Sequence, residues 1–558
     1  MSIPDFRVVV AIAHCVNPDI TVNESWPGRD KTRFKAPKNN TVLQYDDNSW
    51  DVIAWGYEAL AREPRKKIRI VSKPEPKPVE RFKLHLADLK DSDKPYLPPN
   101  LDYRKAISDF LKSMKPLILE TLVNIWPNLK FPEHVRLVFT IPAEWSPEAI
   151  GILQDCILKA GYTTKNSKNN LEFTTEPEAA ALYCMEKLEE LRLSEGSTFM
   201  VVDCGGGTVD LTVRKLLSKN KLSEITERSG DLCGSTYVDD EFIVFLENKF
   251  GFGALDEFRR NHYDQYQYLI LNFFCPRVKF GFDGNNSSFR TIDLDIEKFC
   301  PALMKYVNDD IKEEMEQEDW LLEIKYEDVR KMFDPVIEKI IRLIRNQLTS
   351  SKEKCSAMFI VGGFAESPYL VSKVKEAFNS AVPIICVPQN PISAVLRGGV
   401  IYGLNKKTIA TRQLKLNYGV QVYPLWKKGV DPKKRMTAEG RIYKFNCLAY
   451  RGKEYSPDKP FSSTYYPVYP DQTGINFKVY ATARHNQRFC DEPGMKPIGE
   501  LYVELPDVES KLDRPVFFSL MFGESLITAT AQNKNTERIY TAEFKYTIPD
   551  FYFGPTTC

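Results

Sequence analysis

The sequence is poor in the residues that build zinc centres and disulfide frameworks. Only 5 histidines and 12 cysteines occur among its 558 residues, and no two cysteines are spaced as C-x-x-C. This pattern is typical of reduced thiols and argues against both kinds of site. Net charge is also nearly absent, at +1. The chain therefore has no electrostatic footprint for nucleic acid or for a membrane surface, and we expect neither as a partner.

Long apolar runs are missing as well. No run reaches the roughly 18 residues of a membrane-spanning helix. Residues 1–10 do not follow the basic-then-apolar plan of a secretory signal, so we expect a cytoplasmic protein. The hydrophobic fraction of 43% and the charged fraction of 27% are those of a globular chain. Its length is sufficient for several domain-sized units.

The sequence does contain a glycine-rich turn between two apolar runs. Residues 199–213 are FMVVDCGGGTVDLTV, whose flanks predict a pair of antiparallel strands. Three consecutive glycines at 205–207 let the backbone curl with its N–H groups inward, which favours a phosphate. Thr208 adds a hydroxyl donor, and Asp203 is suited to hold magnesium through water. The alternative is a plain hairpin, although such a turn needs only one glycine or Asn-Gly.

Other candidate residues have an ordinary structural interpretation beside a functional one. Lys83 lies in the half-apolar segment 79–86, a pattern typical of a solvated strand lysine. Glu176 precedes the start of a helix at Pro177, where an acidic residue favours the helix dipole. Gly362 and Gly363 follow a buried strand and either admit a flat ligand or simply connect that strand to a helix.

Strands and helices alternate through residues 1–405, which predicts an α/β domain. Residues 6–12 predict one buried strand, and Ser146 predicts the cap of a helix that ends before Gly161. Beyond residue 405, short alternating strands such as 475–481 predict an antiparallel β-sandwich over 406–558. That second domain has no paired carboxylates or histidine cluster, so binding suits it better than catalysis.

Several motifs occur together in a fixed order. They are T-I-P-A before a capped helix, E-P-x-A-A-A, D-x-G-G-G-T-x-D, G-D-x-x-G and V-G-G-x-x-x-S-P. This succession resembles the 70-kilodalton heat-shock protein family of the actin-like ATPase superfamily, and most of all its divergent class-twelve members. The resemblance runs from about residue 6 to 548. It implies an α/β two-lobed actin-like (ribonuclease-H-like) fold, followed by a β-sandwich that binds peptide.

The resemblance also implies roles for individual residues. Lys83 would position the attacking water, Glu176 would lie near the water shell of the metal, and Asp203 would face magnesium through water. The implied nucleotide-binding residues are Gly205, Gly206, Gly207, Thr208, Gly230, Gly234, Arg277, Lys279, Gly362 and Gly363. The implied cofactors are ATP or ADP with magnesium, and the implied partners are extended peptides and co-chaperones.

The sequence departs from the family pattern in ways that bear on activity. Family members carry a second phosphate hairpin, D-x-G-T-[TS], after the first strand, but residues 8–15 are VVVAIAHC. Pro276 and Phe280 stand where the family has a glutamate and an arginine against adenine and ribose. Ile392 stands where the family usually has an aspartate, and Glu366 where it often has an arginine. No helical lid or interdomain linker of the usual type is recognisable. Loss of one group that stabilises the transition state typically costs 10²–10³ in rate. We therefore expect weak nucleotide binding and hydrolysis close to background.

Three functional hypotheses follow. The first is an ATP-binding chaperone in which the nucleotide controls peptide capture. The missing hairpin is either a real deletion, which would leave hydrolysis weak or absent, or a skipped coding segment, and with the hairpin restored the protein would be an ATPase. The second is a pseudo-ATPase that uses the fold as a binding scaffold. The third, a small-molecule kinase of the same superfamily, is less favoured because such kinases lack a C-terminal sandwich.

Overall fold

The computed structural model describes residues 7–8, 10–28, 38–46, 51–59, 77–87, 89–91, 94–143, 145–164, 170–217, 221–226, 229–351, 353–405, 411–456, 459–522 and 526–545. The described residues divide into two compact units. The first unit is drawn from Met1–Trp145, Leu153–Arg214 and Arg228–Lys406, and the second from Ser146–Ile152, Lys215–Glu227 and Lys407–Cys558. Within the described ranges, no helix is both long enough and apolar enough to cross a membrane.

Short strands are spread through the first part of the chain. They are β1 (Arg7–Val8), β2 (Ala11–Ile12), β3 (Thr21–Val22), β4 (Asn39–Asn40), β5 (Val42–Tyr45), β6 (Val52–Trp55), β7 (Val79–Glu80), β8 (Leu137–Ile141), β9 (Leu171–Thr175), β10 (Thr198–Cys204), β11 (Val209–Leu217), β12 (Lys221–Glu224), β13 (Ser229–Asp231), β14 (Ile292–Asp295), β15 (Leu321–Ile324), β16 (Ala357–Val361) and β17 (Ile384–Cys386).

Helices alternate with these strands, as the α/β pattern predicts. They are α1 (Tyr103–Ile125), α2 (Pro147–Lys159), α3 (Glu176–Glu190), α4 (Thr236–Phe250), α5 (Phe252–Asn261), α6 (Tyr263–Tyr268), α7 (Ile296–Phe299), α8 (Asp309–Gln317), α9 (Tyr326–Ser350), α10 (Pro368–Phe378) and α11 (Ala394–Leu404). A π-helix covers Leu269–Lys279. Helix α2 begins as predicted, because the Ser146 Oγ accepts a hydrogen bond from the Ala149 N–H at 3.2 Å.

The central sheet of the first unit is mixed and includes the strand order β11-β10-β16-β17, with β13 paired to β11. Strands β10 and β16 run parallel, from the Phe199–Ala357 pair to the Asp203–Val361 pair. Every residue of β10 is buried, as expected for a parallel strand covered on both faces. Because parallel strands end at the same edge, the turns that follow β10 and β16 lie side by side.

A second pair of parallel strands, β8 and β9, leads into helix α3. Helices α3 and α11 pack closely over these strands. Gly398 on α11 allows this approach, because a Cβ there would lie 3.0 Å from the Ala179 Cα and would overlap the Ala179 carbonyl. The packing fixes the start of α3, where Glu176 lies.

The N-terminal segment differs from its prediction as a single strand. The described part forms two strands of two residues each, with β1 paired to β4 and β2 paired to β3, both antiparallel. The apolar run is therefore divided between two partners, and within residues 10–12 Val10 is buried whereas Ala11 and Ile12 are half-buried. Phe6 and Val9 lie outside the described residues.

The second unit contains mainly antiparallel strands. They are β18 (Arg412–Gln413), β19 (Asn417–Val422), β20 (Lys444–Ala449), β21 (Glu454–Tyr455), β22 (Phe461–Tyr465), β23 (Gly474–Thr482), β24 (Lys496–Glu504), β25 (Val516–Phe522), β26 (Leu526–Asn533) and β27 (Ile539–Lys545). Two four-stranded sheets have the orders β20-β19-β23-β24 and β22-β25-β26-β27. Their inward residues share one hydrophobic core, in which Phe477 stacks on Phe518 at 4.6 Å.

Candidate functional site

The glycine-rich turn at residues 205–208 connects β10 to β11. The Gly205 N–H donates to the Thr208 carbonyl at 2.9 Å and closes the turn. The carbonyl oxygens of the three glycines accept hydrogen bonds from the backbone N–H groups of residues 234–236, at 2.9 to 3.1 Å. Since these electronegative oxygens face residues 234–236, they do not oppose an anion on the other side of the turn.

Two further glycines adjoin this turn in different ways. A Cβ on Gly234 would lie 2.7 Å from the Gly207 carbonyl carbon, so only glycine fits against the turn. Gly230 lies on strand β13 and pairs with Asp210 of β11. The β11–β13 ladder therefore holds Gly230 in a strand, and not in the turn that opens helix α4.

Gly362 brings the end of β16 against Asp203. Its φ of +86° is in the region that favours glycine, and a Cβ there would lie 2.5 Å from the Asp203 Oδ1. The Gly362 N–H donates to the Pro391 carbonyl at 2.9 Å, which fixes this approach. Gly363, the next residue, has a Cβ position 3.3 Å from the Lys38 Nζ. The predicted glycine pair, the predicted carboxylate and one lysine thus meet at the end of the central sheet.

Asp203 is a buried carboxylate with a nearby cation. Its side chain lies at the last ladder position of β10, and the residue is 6% exposed. Burial raises the pKa of Asp203 to about 6, and the positive charge of Lys38 acts in the opposite direction. Sequence reasoning missed Lys38, because nothing in its local pattern distinguishes it among the 76 lysines and arginines.

Lys83 and Glu176 form a buried ion pair. The Lys83 Nζ lies 3.8 Å from the Glu176 Oε1, with the two side chains 5% and 8% exposed. The same ammonium lies over the Trp145 ring, 4.7 Å from its centroid. Lys83 lies in a 3-10 helix, Phe82–Leu86, so the predicted strand over 79–86 is wrong beyond Glu80. Glu176 is the first residue of α3 and directly follows β9, so the helix begins one residue before the predicted start at Pro177.

Chemically, the described residues offer two charged sets close to main-chain donors. At the end of β10, the carboxylate of Asp203 and the cation of Lys38 adjoin the glycine turn. At the start of α3, a lysine and a glutamate are desolvated together, which is the environment in which such groups act on a bound water or phosphate.

Comparison with known proteins gives one partial family match and several longer relatives. Residues 193–387 match a family described as a domain of unknown function, DUF8340. The human Heat shock 70 kDa protein 12A is 26% identical over 468 residues, which cover 71% of this chain and 68% of that protein. The human Heat shock 70 kDa protein 12B is 24% identical over 510 residues, covering 78% and 74%. The Chaperone protein DnaK of Thermoplasma volcanium is 24% identical over 294 residues, covering 51% and 43%.

The chain is related to the 70-kilodalton heat-shock proteins, and to their class-twelve members. This relationship implies the two-lobed actin-like ATPase fold, with which the mixed central sheet of the first unit agrees.

In this heat-shock-protein-70 relative, Arg277 and Lys279 lie on the π-helix but have different surroundings. Lys279 has a buried side chain, 3% exposed, and its ammonium pairs with Asp239 at 2.7 Å. It also donates to the Ser235 carbonyl, next to Gly234. Arg277 is exposed and lies over the Phe299 ring, 5.0 Å from its centroid. The structure therefore joins Lys279 to the glycine turn through residues 234–236, whereas Arg277 contacts a different surface.

The segment in the position of the first phosphate hairpin is an ordinary hairpin. Strands β2 and β3 pair antiparallel, and residues 13–20 between them are AHCVNPDI, without glycine or threonine. His14 and Cys15 are partly or fully exposed, and the His14 Nδ1 accepts a hydrogen bond from the Val16 N–H at 3.2 Å.

Proposed function

We propose that this chain is an ATP-binding protein of the heat-shock-protein-70 type, which binds ADP or ATP by its phosphates at the turn of residues 205–208. The observation that carries this proposal is the convergence of that turn, Gly234, Gly362 and the Asp203 carboxylate. Main-chain N–H groups, a threonine hydroxyl and an absence of Cβ atoms are what a phosphate site requires.

The remaining predicted residues have roles that follow from their positions. Lys83 and Glu176, held together at 3.8 Å, would orient water near the terminal phosphate. Lys279 would support the nucleotide side of the site through Ser235, while Gly363 would lie against the nucleotide. Gly230 and Arg277 stay predicted contacts, Gly230 from the β11–β13 ladder and Arg277 from the surface of the π-helix.

The relationship implies magnesium, and the predicted mode of holding it is through the Asp203 carboxylate, on which the charge of Lys38 also acts. Asp203 would reach the ion through water, with phosphate oxygens completing the shell. In the part of the chain that the structure describes, no group of three or more histidine, cysteine, aspartate or glutamate side chains could hold a metal. The ion would therefore supply charge neutralisation only together with the nucleotide.

Hydrolysis is expected to be close to background. Residues 13–20, which connect β2 to β3, contain no glycine and no threonine, and their one carboxylate, Asp19, is not part of a D-x-G-T pattern. Phosphoryl transfer to water depends on such positioning and charge. This observation favours the second candidate function, a pseudo-ATPase in which nucleotide binding persists without turnover.

The proposal also assigns residues 1–405 to nucleotide binding and 406–558 to a β-sandwich that binds extended peptide. Its support is the shared core of the two four-stranded sheets and the presence of exposed tyrosines on the same unit. Tyr443 is 52% exposed and stacks on Tyr423 at 4.3 Å, and Tyr466 is 56% exposed. Exposed tyrosines supply apolar area together with a polar hydroxyl, which suits peptide binding. We propose that nucleotide occupancy changes the affinity for peptide.

The first test is binding of fluorescent ADP to the full chain and to Gly206→Arg. The arginine would fill the turn whose Gly206 carbonyl accepts from Thr236, and we expect binding to be lost. Gly253→Arg is the matched control, because Gly253 is an exposed residue of helix α5 with no atom within 4 Å of its Cβ position. Equal binding by the full chain and Gly206→Arg would refute the assignment of the turn.

The second test separates the ATPase from the pseudo-ATPase. Release of phosphate from ATP is measured on the same three proteins. Turnover that Gly206→Arg abolishes and Gly253→Arg retains would discard the pseudo-ATPase. Peptide affinity measured by anisotropy with ADP and with ATP tests the coupling, and identical affinities would remove the chaperone part of the proposal.

A further inference from the structure

Lys38 is held in a fixed position at the end of the central sheet. It directly precedes β4, and its carbonyl accepts a hydrogen bond from the Tyr57 hydroxyl at 3.0 Å. The following residue, Asn39, is 1% exposed, and its Oδ1 accepts from the Tyr57 N–H at 3.1 Å. Gly56 faces Asn39 with a φ of +61°. These contacts fix the backbone from which the half-buried Lys38 side chain extends.

The Lys38 ammonium points to the place where the sheet presents Asp203. Its Nζ lies 3.3 Å from the Cβ position of Gly363, and the neighbouring Cβ position, on Gly362, is 2.5 Å from the Asp203 Oδ1. The charge of Lys38 acts on the Asp203 carboxyl and lowers its pKa against the effect of burial. A cation is therefore already present beside the carboxylate that the resemblance assigns to magnesium.

A second cation at this position would be unfavourable. Magnesium dehydrates reluctantly and needs several oxygen ligands, and a divalent ion beside Asp203 would be repelled by the nearby ammonium. A lysine can instead neutralise phosphate charge as a compact cation with three donors. The chemistry beside the glycine turn thus suits the terminal phosphate of a nucleoside diphosphate or triphosphate without a metal.

We propose that Lys38 is the resident cation of the phosphate site, contacts the terminal phosphate, and makes nucleotide binding by this chain largely independent of divalent metal. This inference rests on the proposed function, because it requires a nucleotide at the glycine turn. It adds a residue that the motifs do not contain.

The test measures the affinity of the full chain for fluorescent ADP in magnesium and in EDTA. For the unchanged chain we expect the two dissociation constants to agree within about threefold. Lys38→Met should bind ADP about tenfold or more weakly in EDTA than in magnesium. Lys38→Arg, which keeps the charge, should stay near the unchanged chain. Lys105→Met is the matched control, because Lys105 is a half-buried lysine that pairs with a different carboxylate, Asp109.

The outcomes distinguish the role of Lys38 from the assignment of a nucleotide site to the glycine turn. The role of Lys38 is overturned if the unchanged chain binds ADP in magnesium but loses about tenfold or more of its affinity in EDTA. It is also overturned if Lys38→Met binds ADP in EDTA as tightly as the unchanged chain does. The nucleotide assignment survives in both cases. No binding in either buffer overturns the nucleotide assignment and the role of Lys38 together.

A melting measurement guards against a variant that folds poorly. Lys38→Met should melt close to the unchanged chain without ligand. Magnesium chloride added to ADP should raise the melting temperature of Lys38→Met further than ADP alone does, because without the ammonium the metal must neutralise the phosphates. Magnesium should add nothing to the effect of ADP on the unchanged chain and on Lys38→Arg, and an equal gain for the unchanged chain would contradict the proposal.

Discussion

Single residues at the site are distinguished by what surrounds them and not by residue type alone. Gly362 and Gly251 have almost the same backbone angle, with φ of +86° and +89°. A Cβ on Gly362 would meet the Asp203 carboxylate, whereas a Cβ on Gly251 would have no atom within 4 Å. Alanine variants at these two glycines therefore distinguish the cost of backbone strain from the cost of steric conflict at the candidate site.

Gly362→Ala should destabilise the fold and displace Asp203. Left-handed strain costs about 1–3 kcal/mol and applies to Gly251→Ala as well. The steric conflict should add about 1–3 kcal/mol for Gly362→Ala alone, and it should weaken binding of fluorescent ADP. Urea unfolding and ADP titration of both variants measure these effects. Equal losses of stability in the two variants would show that the approach of Gly362 to Asp203 carries no constraint.

His85 should make the stability of the first unit depend on pH. Its ring stacks on Tyr103 at 5.4 Å, and its Nε2 lies 2.9 Å from the Pro95 carbonyl oxygen. Burial lowers the pKa of His85 below 6.5, with a smaller effect in the same direction from Lys94 and opposing effects from the Pro95 carbonyl and Asp102. Below pH 6.5 the His85 ring therefore binds a proton more readily in the unfolded chain than in the folded chain. The free energy of unfolding consequently decreases as the pH falls.

His85→Gln should reduce that dependence, because glutamine still donates to the Pro95 carbonyl but does not titrate. We expect a smaller change in the free energy of unfolding between about pH 5 and 6.5. Urea unfolding at several pH values measures it, with His134→Gln at an exposed histidine as the control. A slope identical to that of the unchanged chain would exclude His85 as its source.

The sequence motifs contain Gly234, Gly362 and Asp203 but not Lys38. Gly234 and Gly362 lie where a Cβ atom would overlap neighbouring atoms. Lys38 belongs to no motif, because only the folded chain brings Gly363 and Asp203 close to it. A lysine whose contacts come from distant parts of the chain cannot be recognised from its neighbours in the sequence.

At the scale of elements, the spacing of apolar residues predicted strand β23 but not the segments whose structure depends on a backbone turn or on tertiary contacts. Residues 475–481 alternate strictly, and the strand β23 occupies Gly474–Thr482. The segment around Lys83 failed as a strand because Arg81 adopts a φ of 57° and ends β7, after which Phe82–Leu86 form a 3-10 helix. Tertiary contacts also divided the N-terminal run between β4 and β3.

Helix α11 should tolerate alanine at one of two adjacent glycines. Gly398→Ala would overlap the Ala179 carbonyl of α3, and we expect a loss of about 2–3 kcal/mol. Gly399→Ala meets only the Thr140 Cγ2 at 3.0 Å, a methyl group that can shift, and should stay within about 1 kcal/mol. Both changes gain the same helix propensity, so urea unfolding measures the packing alone. A loss at Gly399→Ala as large as that at Gly398→Ala would contradict close α3–α11 packing.

At the scale of the whole molecule, each compact unit has a core of its own. In the first unit, Phe359 of β16 is fully buried and meets Phe199 edge-on at 5.8 Å. In the second unit, Phe518 of β25 is fully buried and stacks on Phe477. Composition predicted two regions, because helical periodicity ends near residue 405. It could not predict that Lys215–Glu227, which continues from the central sheet, groups with the second unit.

Truncation of one core should therefore lower the stability of one unit. Phe359→Ala and Phe518→Ala each remove a buried ring, a change that typically costs about 3–5 kcal/mol. Chains with separate cores need not unfold in one step, so we expect two calorimetric transitions, with each variant lowering a different one. Fluorescent ADP, if it binds the first unit, should raise only the transition that Phe359→Ala lowers. A single transition that both variants lower equally would mean that the two cores unfold together.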